Sequence, residues 1–480
     1  MAEKEATKKA MALVNAAVAR VAKHEALESL DADMCPNVLV IGGGIAGMTS
    51  ALELADAGNK VYLVEKDDHL GGNVARVDLT APYFYSARDL LTDRITRTIE
   101  HENIEVYLNS KVEDLNGFVG NFVAHIKNQN GVKDPAEKLK EVKIGNVAIC
   151  TGYKEFDASR VTHYGYGKLP NVITSFELEN MLKAGKVTTK EGKVPNYVAI
   201  IHCVGSRSKE FHTYCSRVCC MTALKYAHEI KSANPQSYVS DVYIDMHAFG
   251  KGHEDFYRQS SQAKTLFLMY DKENRPIIRK ADPKDDCEML IEVHERLSGE
   301  LIEIPADLIV LMVGMEARDD AKEIAHLANI SQDKDGWFIE SHPKLEPVAT
   351  TTDGVFIAGT CVAPKDIPDT VAQSRAAAAR ILSRIAKGKI EVDAVYSEVD
   401  ENKCSGCRFC NNLCPYNAIE FNEEEGHSYV ISALCKACGV CVAACPSSAI
   451  KGRQFTDEQL LAQIDGLFAP VEYEVVEPVK

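Results

Sequence analysis

The chain has 480 residues, 46% of them hydrophobic, and a formal net charge of −16 at neutral pH. That length allows two to four domains with cores of their own, and the negative balance disfavours nucleic acid, which needs a basic face. Sixteen cysteines in a chain without a signal-peptide apolar core point to metal or redox chemistry in a reducing, anaerobic cytoplasm rather than to disulfides, and no apolar run approaches the length of a membrane span.

Residues 4–29 read as an amphipathic helix, with Ala10, Leu13, Val14, Ala17, Val18 and Val21 at helical spacing. Its apolar face is expected to pack on its own protein, with docking of a partner as the minority alternative. From Pro36 the pattern changes. Val38 to Ile41 form a continuous apolar run typical of a buried parallel strand, which runs into G-x-G-x-x-G at Gly42, Gly44 and Gly47. A helix from Ile45 to Ala57 follows, closed by Gly58, and then a strand from Lys60 to Val64 that ends in Glu65 and Lys66. In a βαβ dinucleotide fold Gly42 makes the tight turn, Gly44 lets the backbone approach a pyrophosphate and Gly47 permits close helix–strand packing. The helix start at Ile45 and Ala46 holds the phosphates, and Glu65 accepts hydrogen bonds from the ribose.

Gly71-Gly72-Asn73 supply a second close-approach turn that resembles the extension of two-dinucleotide-binding flavoproteins, so FAD is expected rather than NAD. The run Val147 to Gly152, with Thr151-Gly152 as its turn, looks like the strand closing the first half of their FAD domain. Gly354 to Thr360 looks like the late strand that reaches the flavin, with Gly359 and Thr360 at its turn and Asp369 and Val371 beyond. The usual aspartate of that late motif is replaced by Thr360 and Cys361.

Between these halves, residues 156–297 read as a second αβ region where such a flavoprotein would bind NAD(P)H. Its first strand, Tyr197 to Ile201, is present. The loop after it, HCVGSRSKE, has a single glycine, so the phosphate cradle is missing. Cysteines take its place, at Cys203, Cys215, Cys219 and Cys220. Cys215 and Cys219 are spaced to share a helix face, whereas Cys219 and Cys220 cannot point the same way without a distorted turn. A non-standard [4Fe–4S] site, a dithiol, or small buried apolar residues are the alternatives, the first being preferred. Arg207 and Arg217 would offset the cluster's negative charge. Cys35, Cys150, Cys287 and Cys361 stand alone and are expected to be structural.

Near the C-terminus, Cys404, Cys407, Cys410 and Cys414 form C-x2-C-x2-C-x3-C-P, and Cys435, Cys438, Cys441 and Cys445 repeat it. This is the bacterial ferredoxin spacing for two [4Fe–4S] clusters, in which the fourth cysteine of each run ligates the other cluster. Cys445 is therefore grouped with Cys404, Cys407 and Cys410, and Cys414 with Cys435, Cys438 and Cys441. Zinc sites use separated pairs instead.

The segments VLVIGGGIAGM, ADAGNKVYLVEK, CVGSR, YCSRVCCMTALKYAHEI, AFGKGHEDFY and FIAGTCVAPKDIPDTVAQSRAAAA together resemble the A subunit of heterodisulfide reductase, over about residues 5–455. The resemblance implies an α/β, two-dinucleotide-binding-domain (thioredoxin-reductase-like) flavoprotein with a C-terminal α+β ferredoxin domain. The expected domains are an N-terminal helical segment (1–34), FAD-binding parts (35–155 and 298–390), the degenerate nucleotide domain (156–297), the ferredoxin domain (391–455) and a tail (456–480). It also implies that Cys203, Cys215, Cys219 and Cys220 hold an unusual cluster. Lys225 matches a family lysine expected near flavin N5; a surface helix lysine is the alternative. Methanogen members of the family begin with a further cluster domain and carry a cysteine-bearing segment after the second Gly-Gly, where this sequence has NVARVDLTAPYFYSARDLL. Fewer redox centres are therefore expected.

The implied role is an electron-transfer oxidoreductase subunit that passes electrons between two-electron FAD and one-electron clusters, by bifurcation or confurcation with ferredoxin. Its implied partners are B- and C-type subunits, a hydrogenase- or flavin-oxidoreductase-type input module, ferredoxin and a second copy of itself. The rivals are a self-contained NAD(P)H:ferredoxin oxidoreductase resembling the glutamate synthase small subunit, and a redox-inactive scaffold. His202, His212 and His253 are expected to be structural.

Overall fold

Val38–Ile41 is a strand of four buried residues, and such a run has to be covered on both faces. It is the centre of a five-stranded parallel sheet that also contains Val61–Val64, Ile104–Tyr107, Asn146–Ile149 and Val355–Ile357. Counted along the sequence, the strands lie in the order 3-2-1-4-5, the doubly wound arrangement whose switch point falls between the first and fourth strands. The helices Ile45–Asp56 and Ile367–Ile385 pack together beside it, and Met48, Ala51, Leu54, Ala377 and Ile381 are buried in the shared core.

The same plan is repeated farther along. Tyr197–Val204, Tyr238–Tyr243, Leu266–Met269 and Leu308–Val313 form a second parallel sheet, and Val172–Thr174 adds an edge strand. A three-stranded antiparallel sheet, Ile277–Lys280, Met289–His294 and Leu301–Ala306, is inserted before the strand Leu308–Val313. The second region's sheets therefore extend past residue 297, to Val313, because that insertion delays the fourth strand.

The computed structural model describes residues 3–27, 30–130, 139–392 and 394–470. The chain separates into two units. One comprises Cys35–Asn116 with Gly120–Ala386, and the other Met1–Met34, Gly117–Val119 and Lys387–Lys480. In the second unit the helix Glu3–Val21 packs on Asp457–Phe468. At Gly466 a Cβ would stand 2.8 Å from the Ala19 Cβ and 2.9 Å from the Ala16 Cα, so the seam closes on small residues. This corrects the expected face. Leu13, Val14, Val18 and Val21 are exposed while Ala16 is buried, because close approach at Gly466 selects the alanine stripe over the larger side chains. The helix also ends at Val21. Residues 28–29 of the expected helix, residues 1–2, and the 471–480 end of the expected tail lie outside the described residues. Among the described residues no helix is long and apolar enough to cross a membrane.

The same unit holds a duplicated module. The short helices Phe409–Leu413 and Val440–Ala444 and the strand pairs Ile419–Asn422 with His427–Val430 and Ser397–Val399 with Ile450–Gly452 surround one small core.

Candidate cofactor sites

At the end of the strand Val38–Ile41 the chain turns through Gly42 at φ +106°. A Cβ there would stand 2.5 Å from the carbonyl oxygen of Cys150 on the neighbouring strand. Gly47 is tighter still, since its Cβ would meet the Gly42 oxygen at 1.8 Å. The first and third glycines thus let helix and strands touch. Gly44 differs, because its nearest neighbour is the Gly72 Cα at 4.0 Å. The second glycine turn is held alongside by a 2.9 Å bond from Gly71 N–H to the Gly43 carbonyl. The helix opening at Ile45 and Ala46 has no side-chain cap. Backbone from two glycine turns and an uncapped helix start therefore meet at one place, where a Gly72 Cβ would stand 3.2 Å from the Gly44 Cα, and such bare backbone suits the approach of a pyrophosphate.

Glu65 is buried at the end of the second strand. Its Oε2 accepts from Gly43 N–H at 2.5 Å and its Oε1 from Asp67 N–H at 2.9 Å, leaving acceptor capacity for ribose hydroxyls. Asn73 Nδ2 donates to the Tyr153 carbonyl at 2.9 Å, which ties the second glycine turn to the Thr151-Gly152 turn. A Gly152 Cβ would lie 3.8 Å from Thr360 Oγ1, and a Gly359 Cβ 2.9 Å from the Ala46 Cβ, so the late strand arrives at the same end of the sheet. Three expected residues are otherwise engaged. Lys66 Nζ is 2.9 Å from Asp320 Oδ2, the Asp369 carboxylate pairs with Arg217, and Val371 packs against the core.

The second sheet places Cys203 where a nucleotide fold would turn around a phosphate. Its first strand runs to Val204 and so carries both His202 and Cys203. The single glycine, Gly205, is packed beneath Phe156, whose ring a Cβ would meet at 2.2 Å. Cys203, Arg207 and Arg217 adopt positive φ angles of 58°, 51° and 65°. These left-handed conformations cost side-chain-bearing residues about 1–3 kcal/mol each and cluster at functional sites.

The four cysteines are near enough there to influence one another's ionisation. Burial pushes the Cys203 thiol up to about 12, with Cys220 and Cys215 adding to the shift and Arg207 and Arg275 opposing it. Burial also raises Cys219 well above the usual thiol range, reinforced by Cys203, Cys220 and Cys215. Burial raises Cys215, and the Arg217 backbone N–H, 3.2 Å from its Sγ, opposes that. Cys220 goes the other way. Burial would raise it, but the hydrogen bond and charge of His202 bring it down.

Cys215 does not share a helix with Cys219. The helix is Cys219–Ala233, and Cys215 reaches the site from the preceding loop. Adjacent Cys219 and Cys220 enter different parts of the core, Cys219 beside Ala223 and Tyr226 and Cys220 beside Met221 and Phe256. The helix start at Val218 has no side-chain cap, so its positive end is available to thiolates. Arg207 opposes the upward shifts of Cys203 and Cys215. The Arg217 guanidinium does not, being paired with Asp369 and lying 5.2 Å over the Phe249 ring. Sequence reasoning missed Arg275, which clamps the loop by donating to the carbonyls of Cys203 at 2.9 Å, Ser206 at 3.2 Å and Arg207 at 2.9 Å. It follows Cys203 by 72 residues, and nothing local marks it.

Lys225 is buried and is not a surface lysine. Its Nζ donates to Glu179 Oε1 at 2.6 Å and to the Leu79 carbonyl at 2.9 Å, and lies 3.2 Å from Glu229 Oε2. Burial lifts Glu229 to about 7, with Glu179 adding to the shift and Lys225 opposing it. Burial raises the thiols of both Cys150 and Cys361, and Cys361 adds to the shift at Cys150.

In the duplicated module, Cys414, Cys435, Cys438 and Cys441 line one small cavity together with Ser397, Ile419 and Val430. The fourth cysteine of the first run thus sits with the first three of the second. The two halves match in backbone as well. Gly406 and Ala437, Arg408 and Gly439, and Asn417 and Ser448 are all at positive φ. Ala418 N–H points at Cys414 Sγ and Ala449 N–H at Cys445 Sγ, each at 3.3 Å. Among the described residues no three Cys, His, Asp or Glu side chains close on a single-ion point. Thiols spread around a cavity, with backbone N–H groups aimed at sulfur, fit an anionic cluster.

A doubly wound sheet with a phosphate turn, a second such sheet carrying thiols, and a duplicated four-cysteine module define an iron–sulfur flavoprotein. Residues 37–149 match the family described as FAD dependent oxidoreductase, and residues 403–457 match the 4Fe-4S dicluster domain. The chain is 37% identical to an iron-sulfur A subunit of the CoB--CoM heterodisulfide reductase of Methanopyrus kandleri, covering 97% of this chain and 81% of that protein. It is 36% identical to the iron-sulfur A subunit of the same enzyme in Methanocaldococcus jannaschii, over 96% and 82%. The A subunit of the H(2)/formate:CoB-CoM heterodisulfide,ferredoxin reductase of Methanococcus maripaludis is 35% identical, over 96% and 82%. The chain belongs to the family of heterodisulfide reductase A subunits. It is an oxidoreductase with an electron-transfer role that uses FAD and [4Fe–4S] clusters.

Proposed function

We propose that this chain is the cytoplasmic flavin hub of a heterodisulfide-reductase-like complex, coupling electron pairs at FAD to single electrons on three [4Fe–4S] clusters, with ferredoxin as an exchange partner. The observation that supports the reading is that Cys203 lies at the end of the first strand, Cys219 and Cys220 open the helix that follows and Cys215 lies in the loop before it, at a turn whose one glycine is packed under Phe156. When bound, FAD supplies two-electron chemistry and each cluster one-electron chemistry.

The residues of this chain have separate tasks. Gly42, Gly44, Ile45, Ala46, Gly47, Gly71 and Gly72 shape the pyrophosphate gap, and Glu65 orients the ribose. Cys203, Cys215, Cys219 and Cys220 are the candidate ligands of a third cluster, with Arg207 and the helix start offsetting its charge. Cys404, Cys407, Cys410 and Cys445 are the candidate ligands of one ferredoxin cluster, and Cys414, Cys435, Cys438 and Cys441 of the other. The cavity shared by the latter four supports that crossed grouping. Lys225, held by Glu179, is a candidate to face the flavin from the helix that carries Cys219 and Cys220.

The proposed partners are B- and C-type subunits, an input module of hydrogenase or flavin-oxidoreductase type, and a second copy of the chain. Division of an electron pair between partners of different potential belongs to the same proposal. The test is anaerobic rapid mixing. A reduced ferredoxin is expected to bleach the flavin, and NADH is not. Rapid bleaching by NADH alone would favour the self-contained NAD(P)H:ferredoxin oxidoreductase instead.

A further inference from the structure

The two halves of the duplicated four-cysteine module repeat a serine as well as the cysteines. Ser397 stands seven residues ahead of Cys404, the first cysteine of the first run, and Ser428 seven residues ahead of Cys435, the first of the second. Both serines are buried, on the strands Ser397–Val399 and His427–Val430. Their hydroxyls meet different neighbours. Ser397 lines the cavity of the second run, with its Oγ 3.5 Å from Cys441 Sγ and its backbone N–H 3.4 Å from Cys435 Sγ. Ser428 donates instead to Asn411 Oδ1 at 2.9 Å. That same Oδ1 lies 3.6 Å from Cys410 Sγ, the sulfur that matches Cys441, and Asn411 Nδ2 is taken up by the Ile419 carbonyl at 3.0 Å.

The difference comes from the residue after the third cysteine of each run, Asn411 after Cys410 and Val442 after Cys441. Asn411 takes the Ser428 hydroxyl and turns an acceptor oxygen towards sulfur. Val442 is apolar and packs into the small core of the module, which leaves the Ser397 hydroxyl facing sulfur. A thiolate bound to iron has no proton to give, so at a loaded cluster the hydroxyl is the donor. Hydrogen bonds to the sulfurs of a cluster raise its reduction potential by stabilising the more negative, reduced state, and an acceptor oxygen in the same place does the reverse. Resting on the ligand reading above, we infer that Ser397 is a positioning residue that donates O–H to the sulfur of Cys441 and raises the potential of the cluster held by Cys435, Cys438 and Cys441 above that of its twin. An electron entering the module therefore settles on the second-run cluster. The step is the passage of one electron between two clusters. No bond forms or breaks in it, and the Ser397 proton stays on its oxygen.

The experiment is a redox titration, followed by electron paramagnetic resonance, of the anaerobically purified full chain. The signal of the second-run cluster is identified as the one lost in Cys438→Ala. At its wild-type midpoint, Ser397→Ala is expected to lower the reduced-to-oxidised ratio about tenfold, which is ~59 mV for one electron, and to leave the first-run signal where it was. Ser397→Thr, which keeps the hydroxyl, recovers most of that shift. The reciprocal variant is Asn411→Val, which copies the second half and frees Ser428 to face Cys410. It is expected to raise the potential of the first-run cluster, and it serves as the second variant should Ser397→Ala fail to fold. A second-run midpoint below that of the first in the wild type, or unchanged midpoints in both Ser397→Ala and Asn411→Val, would overturn the inference and leave the ligands standing. Signals unaltered in Cys438→Ala would remove the ligand reading, and this role with it.

Discussion

The two parallel sheets of the larger unit share the order of four strands, the fourth beside the first, and differ most tellingly at the turn after the first strand. In each, the first strand ends at the switch point and a helix follows. In the first sheet the connection is Gly42 to Gly47, with bare backbone at Gly44 beside Gly72. In the second it holds Cys203 at positive φ, an arginine clamp from Arg275, and a helix that opens with Cys219 and Cys220. Both use the same advantages of position, a crevice at the carboxyl ends of the strands and a positive helix end. The fold supplies the cradle, and the side chains at the turn decide whether phosphate or sulfur occupies it.

The largest effect is expected at Gly47. Alanine there puts a Cβ 1.8 Å from the Gly42 oxygen, which forces helix and strand apart at a cost of about 3 kcal/mol, the top of the usual range for overpacking. Flavin per chain should fall at least tenfold, read from absorbance of the purified protein. An unchanged flavin content would mean that the first turn is not the phosphate turn.

The second sheet can be tested separately. Cys219→Ser should remove about four of about twelve irons while flavin content is kept, as measured by iron and flavin analysis on one sample. Loss of both together would break the claim that the two turns do different jobs.

Glu65 sharpens the first half of the comparison. Glu65→Gln keeps one acceptor and removes the charge, and hydrogen bonds to a charged group are worth about 1.5–3 kcal/mol. Flavin binding, followed by fluorescence, should therefore weaken by about ten- to a hundredfold.

The smallest effect concerns the helix after the cysteines. Glu229 is held at about 7 by burial, with Glu179 adding to the shift. Its carboxyl holds a proton more tightly folded than unfolded, so its contribution to stability is lost as pH rises from about 4.5 to about 7. Glu229→Gln should flatten that part of the stability profile and melt higher than wild type at pH 8, as thermal denaturation across the range would show.

The legibility of this chain follows from how local each signal is. Gly42 to Glu65 could be read because every role there is set by neighbours in sequence, and the cavity shared by Cys414, Cys435, Cys438 and Cys441 follows from spacing alone. Cys215 was misplaced on a helix because i to i+4 spacing describes helices well and says nothing about a loop that delivers its residue to the helix start. The N-terminal helix has two possible faces. Hydrophobicity favours Leu13, Val14 and Val18, but Gly466, more than 440 residues away, closes on Ala16 and Ala19. Arg275 carries no local mark, since its role exists only once segments far apart in sequence are adjacent. Lys225 could be singled out, but its burial against Glu179 could not.

The central claim is that thiols hold a cluster where the second sheet would otherwise bind a nucleotide. Iron and labile sulfide per flavin in the anaerobically purified chain test it most directly. About twelve irons per flavin, three cubane clusters, is the result this account predicts. About eight irons in intact, flavin-replete protein would contradict it.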